Sequence, residues 1–495
     1  MESAPNVGRW RVSSSGVTDL AARVPIALAV LLLLGLELRA ALWFAYQPAA
    51  MTSYDTLVYV GMAGDELFSD PARTAGYSIL LRGLHLFSAD VDVTILFQHL
   101  LGIATALLVY GSLRRLATPV WVAVVGAAAV LLSLDQIFLE HSLLTETPFT
   151  LAIAVVIYAG VRSLDEPRVL VSVFGRGVTS RHLWIVAAGV ALGLSAWMRS
   201  VTVPAVPVLV LWFALAPGGP WRARIGRGAL AGAAAVAMLL AYAGLQAAHN
   251  GYFGLTPSTG WAFYARTAQF ADCTKFDPPA GTERLCEQTP PSARPGPDFY
   301  AWEPGSPARR LYGGQPNGND ELTEFARRAV TSQPLDYLRA VTIDSLRYFY
   351  PRLGARDYSG VGFDVIDIDR RAPGVEEEIN AGIDAYYADE PLEITGLAGQ
   401  LSDLQQVLRL QPWTMIVVTL LSLAALVLAR GRLRAGIVLM LAISAALLII
   451  PPATAIWSAR YAVPVSGPLV GCAAVGAWLI VTRLRERRPV QAPAE

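Results

Sequence analysis

The chain has 495 residues, of which 54% are hydrophobic and only 16% charged, with a mean hydropathy of +0.44. A soluble domain carries about a quarter charged residues, so this composition excludes an ordinary soluble protein and predicts a polytopic membrane protein. The formal net charge is zero, so there is no basic domain to bind nucleic acid and no nucleic-acid partner is expected.

In chain order, residues 1–23 read as a tail containing Arg9, Arg11 and Arg23. A bilayer core needs about 20 apolar residues per helix. Ten spans are predicted, at 24–46, 91–111, 117–133, 147–163, 183–198, 200–216, 228–248, 412–430, 433–450 and 461–483, followed by a tail at 484–495. The fold class is therefore an all-α polytopic membrane protein with a mixed extracytoplasmic region between spans seven and eight. A cleaved signal peptide is the competing reading of residues 1–50, because "QPAAM" holds small residues. The apolar stretch is long for a signal and contains Glu37 and Arg39, which favours an uncleaved first span.

Arginine placement sets the orientation. Arg114 and Arg115 follow the second span; Arg162, Arg168, Arg176 and Arg181 lie between the fourth and fifth. Arg222, Arg224 and Arg227 follow the sixth, Arg430, Arg432 and Arg434 the eighth, and "RLRERR" the tenth. With ten spans every cluster falls on one side, so both termini are expected in the cytoplasm of a plasma-membrane protein.

Three segments then face outside: a first loop at 47–90, a short turn at 134–146, and a region at 249–411. The last holds about 160 residues, enough for a small domain. Within it Cys273 and Cys286 share one polar loop and are candidates for a disulfide if that loop is extracytoplasmic. Cys472 lies in an apolar run. Residues 320–350 have helical period, with Leu322, Phe325 and Ala329 and then Leu338, Val341, Leu346 and Phe349 as apolar stripes. Pro334 should divide them into two helices lying on the membrane surface. The acidic stretch 363–392, with "EEE" at 376–378, reads as a solvated face; the acids are scattered, and neither a metal nor a cofactor is expected.

Four polar features fall at outer span ends, at one membrane depth. The first is "SYDTLVYVGMAGDELFSDPARTAGYSILL" at 53–81, where Asp55, Tyr59 and Ala63 share a helix face. Farther on, Arg73 offers a cation, Gly76 permits close backbone approach and Tyr77 adds a ring with a hydroxyl. The second is "LEHSLLTETPFTLAI" at 139–153, with Glu146 at the mouth of the fourth span, Thr145 and Pro148 as start signals, and Glu140 and His141 nearby. His141 reads more simply as an interfacial histidine, with substrate contact as the alternative. The third is Arg199 in "GLSAWMRSVTVPAVP", and the fourth is Arg460 with Tyr461 in "SARYAVP". One boundary arginine is explained by snorkelling. Three at one depth, facing an Asp and a Glu, point to an anionic ligand. Guanidinium forks suit phosphate oxygens, and a nearby carboxylate suits a general base acting on a hydroxyl. No Walker loop, HExxH or dinucleotide fingerprint is present.

These motifs resemble the polyprenyl-phosphate-sugar-dependent GT-C glycosyltransferases, the superfamily of protein mannosyltransferases, aminoarabinose transferases and arabinosyltransferases. Asp55, Tyr59 and Ala63, then Arg73, Gly76 and Tyr77, match the family's first external loop. Ala75 and Ser78 stand where prolines are usual. "LLTETPFTLA" resembles the segment carrying the family's acid, here Glu146; "LSAWMRS" lacks the proline that commonly follows its arginine. "SARYAVP" resembles the late motif through Arg460, Tyr461 and Pro464, and "TSQPLDYLRAV" the helix before the later spans. The resemblance covers most of 24–250 and 320–480; residues 250–320 match nothing and are expected to set acceptor choice.

The resemblance implies Asp55 as catalytic base, inversion at the sugar carbon, and a lipid phosphate as leaving group; Asp65, in the same loop, is a lower-ranked alternative base. Arg73, Arg199 and Arg460 are then expected to bind the donor phosphate, and Tyr59, Tyr77, Glu146, His141 and Tyr461 to line the substrate site. The expected partners are the bilayer, a polyprenyl-phosphate sugar of the mannose or arabinofuranose class, and a glycan, lipid or protein acceptor. The arginine-rich, single-lysine composition suggests a GC-rich bacterial source of actinobacterial type. A flippase for an anionic isoprenoid lipid would use the same arginines without a base, and an assembly partner with a degenerate site is the third reading.

Overall fold

A computed structural model describes residues 25–50, 53–173, 176–354, 366–368, 386–387 and 393–486. The tail at 1–23, the "EEE" run at 376–378 and the end at 487–495 lie outside the described residues. Helix α1 (Ile26–Ala45) is followed by a two-residue strand β1 (Tyr46–Gln47) and two short helices, α2 (Tyr54–Gly64) and α3 (Gly76–His85). Next come α4 (Val91–Arg115), α5 (Val120–Leu131), α6 (Leu134–Glu140) and α7 (Glu146–Ser163). A hairpin of β2 (Val169–Val173) and β3 (Arg176–Thr179) leads to α8 (Ser180–Met198), α9 (Ala205–Leu215) and α10 (Trp221–Asn250). The polar region holds α11 (Thr259–Ala268), α12 (Pro297–Trp302), α13 (Pro307–Tyr312), α14 (Asn319–Ser332) and α15 (Pro334–Leu346). Strand β4 (Glu393–Ile394) pairs antiparallel with β1, and α16 (Leu397–Leu408), α17 (Pro412–Leu428), α18 (Gly431–Thr454) and α19 (Ser466–Glu486) follow.

Each predicted span coincides with a helix. Among the described residues, seven stretches are helical, long and apolar enough to cross a membrane, and the pair α5–α6, bent by 52°, makes an eighth if it is one span. Helices α7 and α9 fall short: α7 has 18 residues with Glu146 and Arg162 at its ends, and α9 has only 11. Length and composition alone thus give seven or eight crossings, and a count of ten needs α7 and α9 as well.

Without water between them, membrane helices gain little from apolarity and associate through close packing of small residues. Ala188, Gly189 and Ala191 on α8 accordingly sit in one core with Ala231 of α10, and a Cβ on Gly189 would strike the Ala231 carbonyl. A second core joins α2 and α3 to the bundle through Tyr59, Val60, Tyr77, Leu81, Ile95 and Tyr242. The polar region builds a third, from Trp261, Tyr264, Tyr300, Leu322 and Phe325, beside a disulfide between Cys273 and Cys286. Pro334 opens α15, giving the expected break. The apolar stripe of α14 lies inside this third core, however, so α14 has no such face left for lipid; on α15, Leu335 and Leu338 stay exposed.

Helix α7 fixes the polarity of the bundle. Its 18 residues span about 27 Å at 1.5 Å each. Glu146 is at one end. At the other, Arg162, Arg115 and Arg432 all pair with Asp165. The polar loops and the arginine-rich turns therefore occupy opposite ends.

Gly76 shows how tightly the loop end is assembled. A Cβ there would overlap the Trp197 carbonyl, two residues before Arg199, so α3 presses directly on the end of α8. Gly76→Ala must move backbone rather than a flexible side chain. The expected loss is about 1–3 kcal/mol, read as a lowered Tm in detergent. An unchanged Tm would show that this contact is loose.

Candidate active site

The site starts from local caps and turns. Ser53 caps α2, its hydroxyl accepting from the Asp55 amide at 3.3 Å, which places Asp55 in the first turn. Asp70 accepts from the amides of Ala72 (2.9 Å) and Arg73 (2.6 Å), a side-chain turn that aims Arg73 back toward α2. Ser458 accepts from the Arg460 amide at 3.3 Å where a 3₁₀ turn (Ala459–Val465) precedes α19. Arg199 ends α8 in extended conformation.

These elements bring five predicted residues into one chain of alternating charge. Asp55 Oδ1 accepts from Arg73 Nε at 2.9 Å and Nη2 at 2.7 Å. Asp55 Oδ2 accepts from Arg460 Nη2 at 3.0 Å. Arg460 Nη1 lies 3.2 Å from Glu146 Oε1, and Arg199 Nη1 donates to the same oxygen at 2.5 Å. The order is Arg73, Asp55, Arg460, Glu146, Arg199, and Arg73 Nη1 also lies 3.5 Å from Asp70 Oδ2, so three cations meet three anions. Tyr461 stacks against Arg199, its ring 4.7 Å from the guanidinium carbon. Tyr59 is buried within electrostatic reach of Asp55, Arg199, Arg73 and Glu146.

Burial alone would raise the Asp55 pKa. The charges of Arg73 and Arg460 and their hydrogen bonds outweigh it and hold the carboxyl well below the usual carboxylate range. Burial, and then the Asp55 charge, push the Tyr59 phenol up, so it remains a hydroxyl donor. Arg460 also keeps a buried Nε with no hydrogen-bond partner among the described residues. Among those residues, no group of three or more His, Cys, Asp or Glu side chains is arranged to hold a metal ion.

Three predicted residues lie elsewhere. The Tyr77 hydroxyl donates to Gln98 at 2.8 Å, and its ring meets Tyr59 edge-on at 5.5 Å, so it supports Tyr59 from behind. His141 is neither interfacial nor in the ion chain. It is 1% exposed, with Nε2 2.6 Å from the Tyr46 carbonyl oxygen and Nδ1 3.2 Å from His99. His99 in turn meets Glu140, which accepts from Arg39 at 2.8 Å. This second buried network sequesters the charges of Arg39 and Glu140 and draws His141 away from the site. Asp65 is exposed at the far end of α2, ten residues or about 15 Å from Asp55 along the axis.

The two departures from the first-loop pattern have structural uses. The Ala75 amide donates to the Tyr242 hydroxyl at 2.8 Å, which a proline could not do, and Ser78 Oγ donates to the Tyr59 carbonyl at 2.8 Å. The sequence reading missed Trp302, whose ring lies 5.2 Å from the Arg73 guanidinium carbon, and the anchoring role of Asp70. The Asp-Pro step was the signal for Asp70; nothing local marks Trp302.

No protein-family model matches the chain, and no curated protein does. Solved structures give distant likenesses. The Saccharomyces cerevisiae protein O-mannosyltransferase Pmt1–Pmt2 complex bound to its sugar donor aligns with 50% of this chain at 17% identity and a TM-score of 0.35; this chain spans 38% of that one's length. ArnT from Cupriavidus metallidurans aligns with 97% of this chain and 82% of its own, at 13% identity and a TM-score of 0.37 in the apo state. Bound to undecaprenyl phosphate, it gives 14% and 0.34 over the same shares. At TM-scores this low the likenesses carry no argument for fold or activity.

A depressed carboxyl pKa contributes stability that is present above the unfolded pKa, 3.8 for Asp55, and is lost as pH falls toward the folded value. Wild type should therefore lose stability more steeply below about pH 4 than Asp55→Asn, measured by denaturant unfolding across pH. Parallel slopes would mean that Asp55 is not ion-paired in solution.

Proposed function

We propose that the chain is a membrane glycosyltransferase that moves a sugar from a polyprenyl-phosphate donor to a hydroxyl acceptor at the outer face. The observation that carries this reading is the ion chain from Arg73 to Arg199, in which three guanidinium groups hold two carboxylates and Arg460 keeps a buried Nε without an acceptor among the described residues. Its position at the end of α7 opposite the arginine-rich turns supports an extracytoplasmic site, with both termini cytoplasmic, through the preference of arginine for the cytoplasmic side. The sugar belongs to the mannose or arabinofuranose class in this reading, and the acceptor is an envelope glycan, lipid or protein.

The geometry suggests how binding readies the base. Clamped by two guanidinium groups, Asp55 is a poor proton acceptor. A donor phosphate entering the cluster competes with Asp55 and Glu146 for those guanidiniums. Arg460 has one unpartnered Nε to offer and the most to exchange, because it touches both acids. As phosphate takes over its donors, Asp55 loses cationic contact and its basicity rises. The acceptor oxygen then attacks the anomeric carbon and its proton passes to Asp55. The bond from that carbon to the phosphate oxygen breaks, and the polyprenyl phosphate departs with the electron pair, with inversion at carbon. Arg73, Arg199 and Arg460 stabilise the charge gathering on the leaving phosphate. Tyr59, kept protonated, and Tyr461 orient the sugar.

Asp55→Asn should abolish sugar transfer while binding of undecaprenyl phosphate persists; normal transfer by that variant would remove Asp55 as the base. Truncating Arg199 or Arg460 should lower kcat by about 10²–10³. The pH profile tests the exchange itself. Activity falls as pH drops through the pKa of a base; kcat/KM reports the free protein and kcat the donor complex. The acid limb of kcat should lie at higher pH than that of kcat/KM. Coincident limbs would mean that the donor leaves the Asp55 clamp intact.

A further inference from the structure

Residues 250–320 resemble nothing in sequence, yet one short helix of this region faces the ion chain. In α12, Pro297, Tyr300 and Ala301 are buried, with Tyr300 6.1 Å from the Tyr264 ring in the third core. Asp298 and Trp302 are four residues apart and share the helix face turned away from Tyr300. Trp302 lies against the guanidinium of Arg73, the same group that grips Asp55, and is still 40% exposed. Asp298 is half-buried and feels Arg347 and Arg460. It has no hydrogen-bond or ion-pair partner among the described residues. Arg347 itself rests on Trp457, 3.9 Å from the ring centre, just ahead of the Arg460 turn. This region thus presents to the arginines of the ion chain one flat aromatic surface and one carboxyl with no protein partner among the described residues.

We propose that this face of α12 is the acceptor side of the active site, where a sugar ring stacks on Trp302 and one of its hydroxyls donates to Asp298. The proposal rests on the transferase reading and narrows it, since the acceptor becomes a glycan or glycolipid rather than a bare serine or threonine. A sugar ring has an apolar C–H face and a rim of hydroxyls, and needs an apolar platform plus a few placed acceptors. A hydroxyl amino acid has no such face. Burial pushes the Asp298 pKa up to about 7, against the pull of Arg347 and Arg460, so a hydroxyl donor would relieve a carboxylate otherwise left unpaired. Trp302 links the two halves of the site: it packs on Arg73, so a ring held by Trp302 lies one guanidinium away from Asp55. Asp298 is a positioning residue here, and Asp55 keeps the base role.

The test uses the full chain in nanodiscs and four probes: octyl α-mannoside, octyl α-arabinofuranoside, a Ser/Thr-containing peptide, and undecaprenyl phosphate. Saturation-transfer NMR should show a glycoside binding to wild type and no binding of the peptide. Trp302→Ala and Asp298→Asn should each weaken glycoside binding by about tenfold or more, and Trp302→Phe should restore most of it. Undecaprenyl phosphate should bind all variants equally. Unchanged glycoside binding in both variants overturns the proposal, as does preference for the peptide or a parallel loss of undecaprenyl phosphate. If wild type binds the glycoside through Trp302 but not undecaprenyl phosphate, the acceptor site stands and the donor reading fails.

Discussion

Glu146 is 2% exposed and Arg460 7%, in a molecule whose surroundings are largely apolar. An ion stripped of water at such a place costs several kcal/mol unless it meets an opposite charge and hydrogen bonds. The loop end of the protein is built around that requirement. Two acids and three arginines come from five segments that span most of the chain, and each charge touches at least one of the opposite sign. None of the five could be buried alone. The Ser53 cap, the Asp70 turn, the Gly76 contact with Trp197 and the Ser458 turn each place one member against the others. Removing any of these local devices therefore acts on the whole chain of charges.

The second buried network performs a different task with the same chemistry. Arg39 interrupts the first apolar helix and bonds Glu140 of α6, while His99 and His141 extend the contact to the Tyr46 carbonyl. The Ala50 amide also donates to the His141 carbonyl, at 2.8 Å. The chain leaving α1 toward the loop that carries Asp55 is thus tied to the α6 turn before it reaches that residue. Gln98 donates to the carbonyls of Glu140 and Ser142 and receives the Tyr77 hydroxyl. Through Tyr77 and Tyr59 this rigid network adjoins the ion chain without sharing a charge with it.

Arg73, inside the 47–90 loop, was marked by its motif, whereas Asp55, Glu146, Arg199 and Arg460 were legible because each is a charge beside an apolar run, and the bilayer puts such ends at one depth. That constraint replaces long-range structural information. It works only for residues next to spans, which is why Trp302 and Asp298 escaped: they belong to a six-residue helix in a loop with no hydrophobic period. Depth also misled for His141. A polar residue at that depth can point into the bundle as easily as into the site, and only the partner, His99 one span earlier, decides which. The amphipathic stripe of α14 was read correctly as a helix face, but the sequence held no sign that α11 and α12 would cover it instead of lipid.

The open Nε of Arg460 is the feature that separates a structural ion cluster from a receptive one. A cluster selected for stability alone would satisfy every buried donor, since one left without an acceptor carries a desolvation cost with no return. Here Glu146 serves two arginines through the same oxygen, and Arg460 retains a buried Nε without an acceptor among the described residues. The arrangement is stable enough to fold around its acids yet leaves one buried donor open. A phosphate oxygen can accept from that donor and from its neighbours on the same guanidinium. The same event that satisfies this donor loosens the clamp on Asp55, so ligand capture and the readiness of the base follow from a single redistribution of hydrogen bonds.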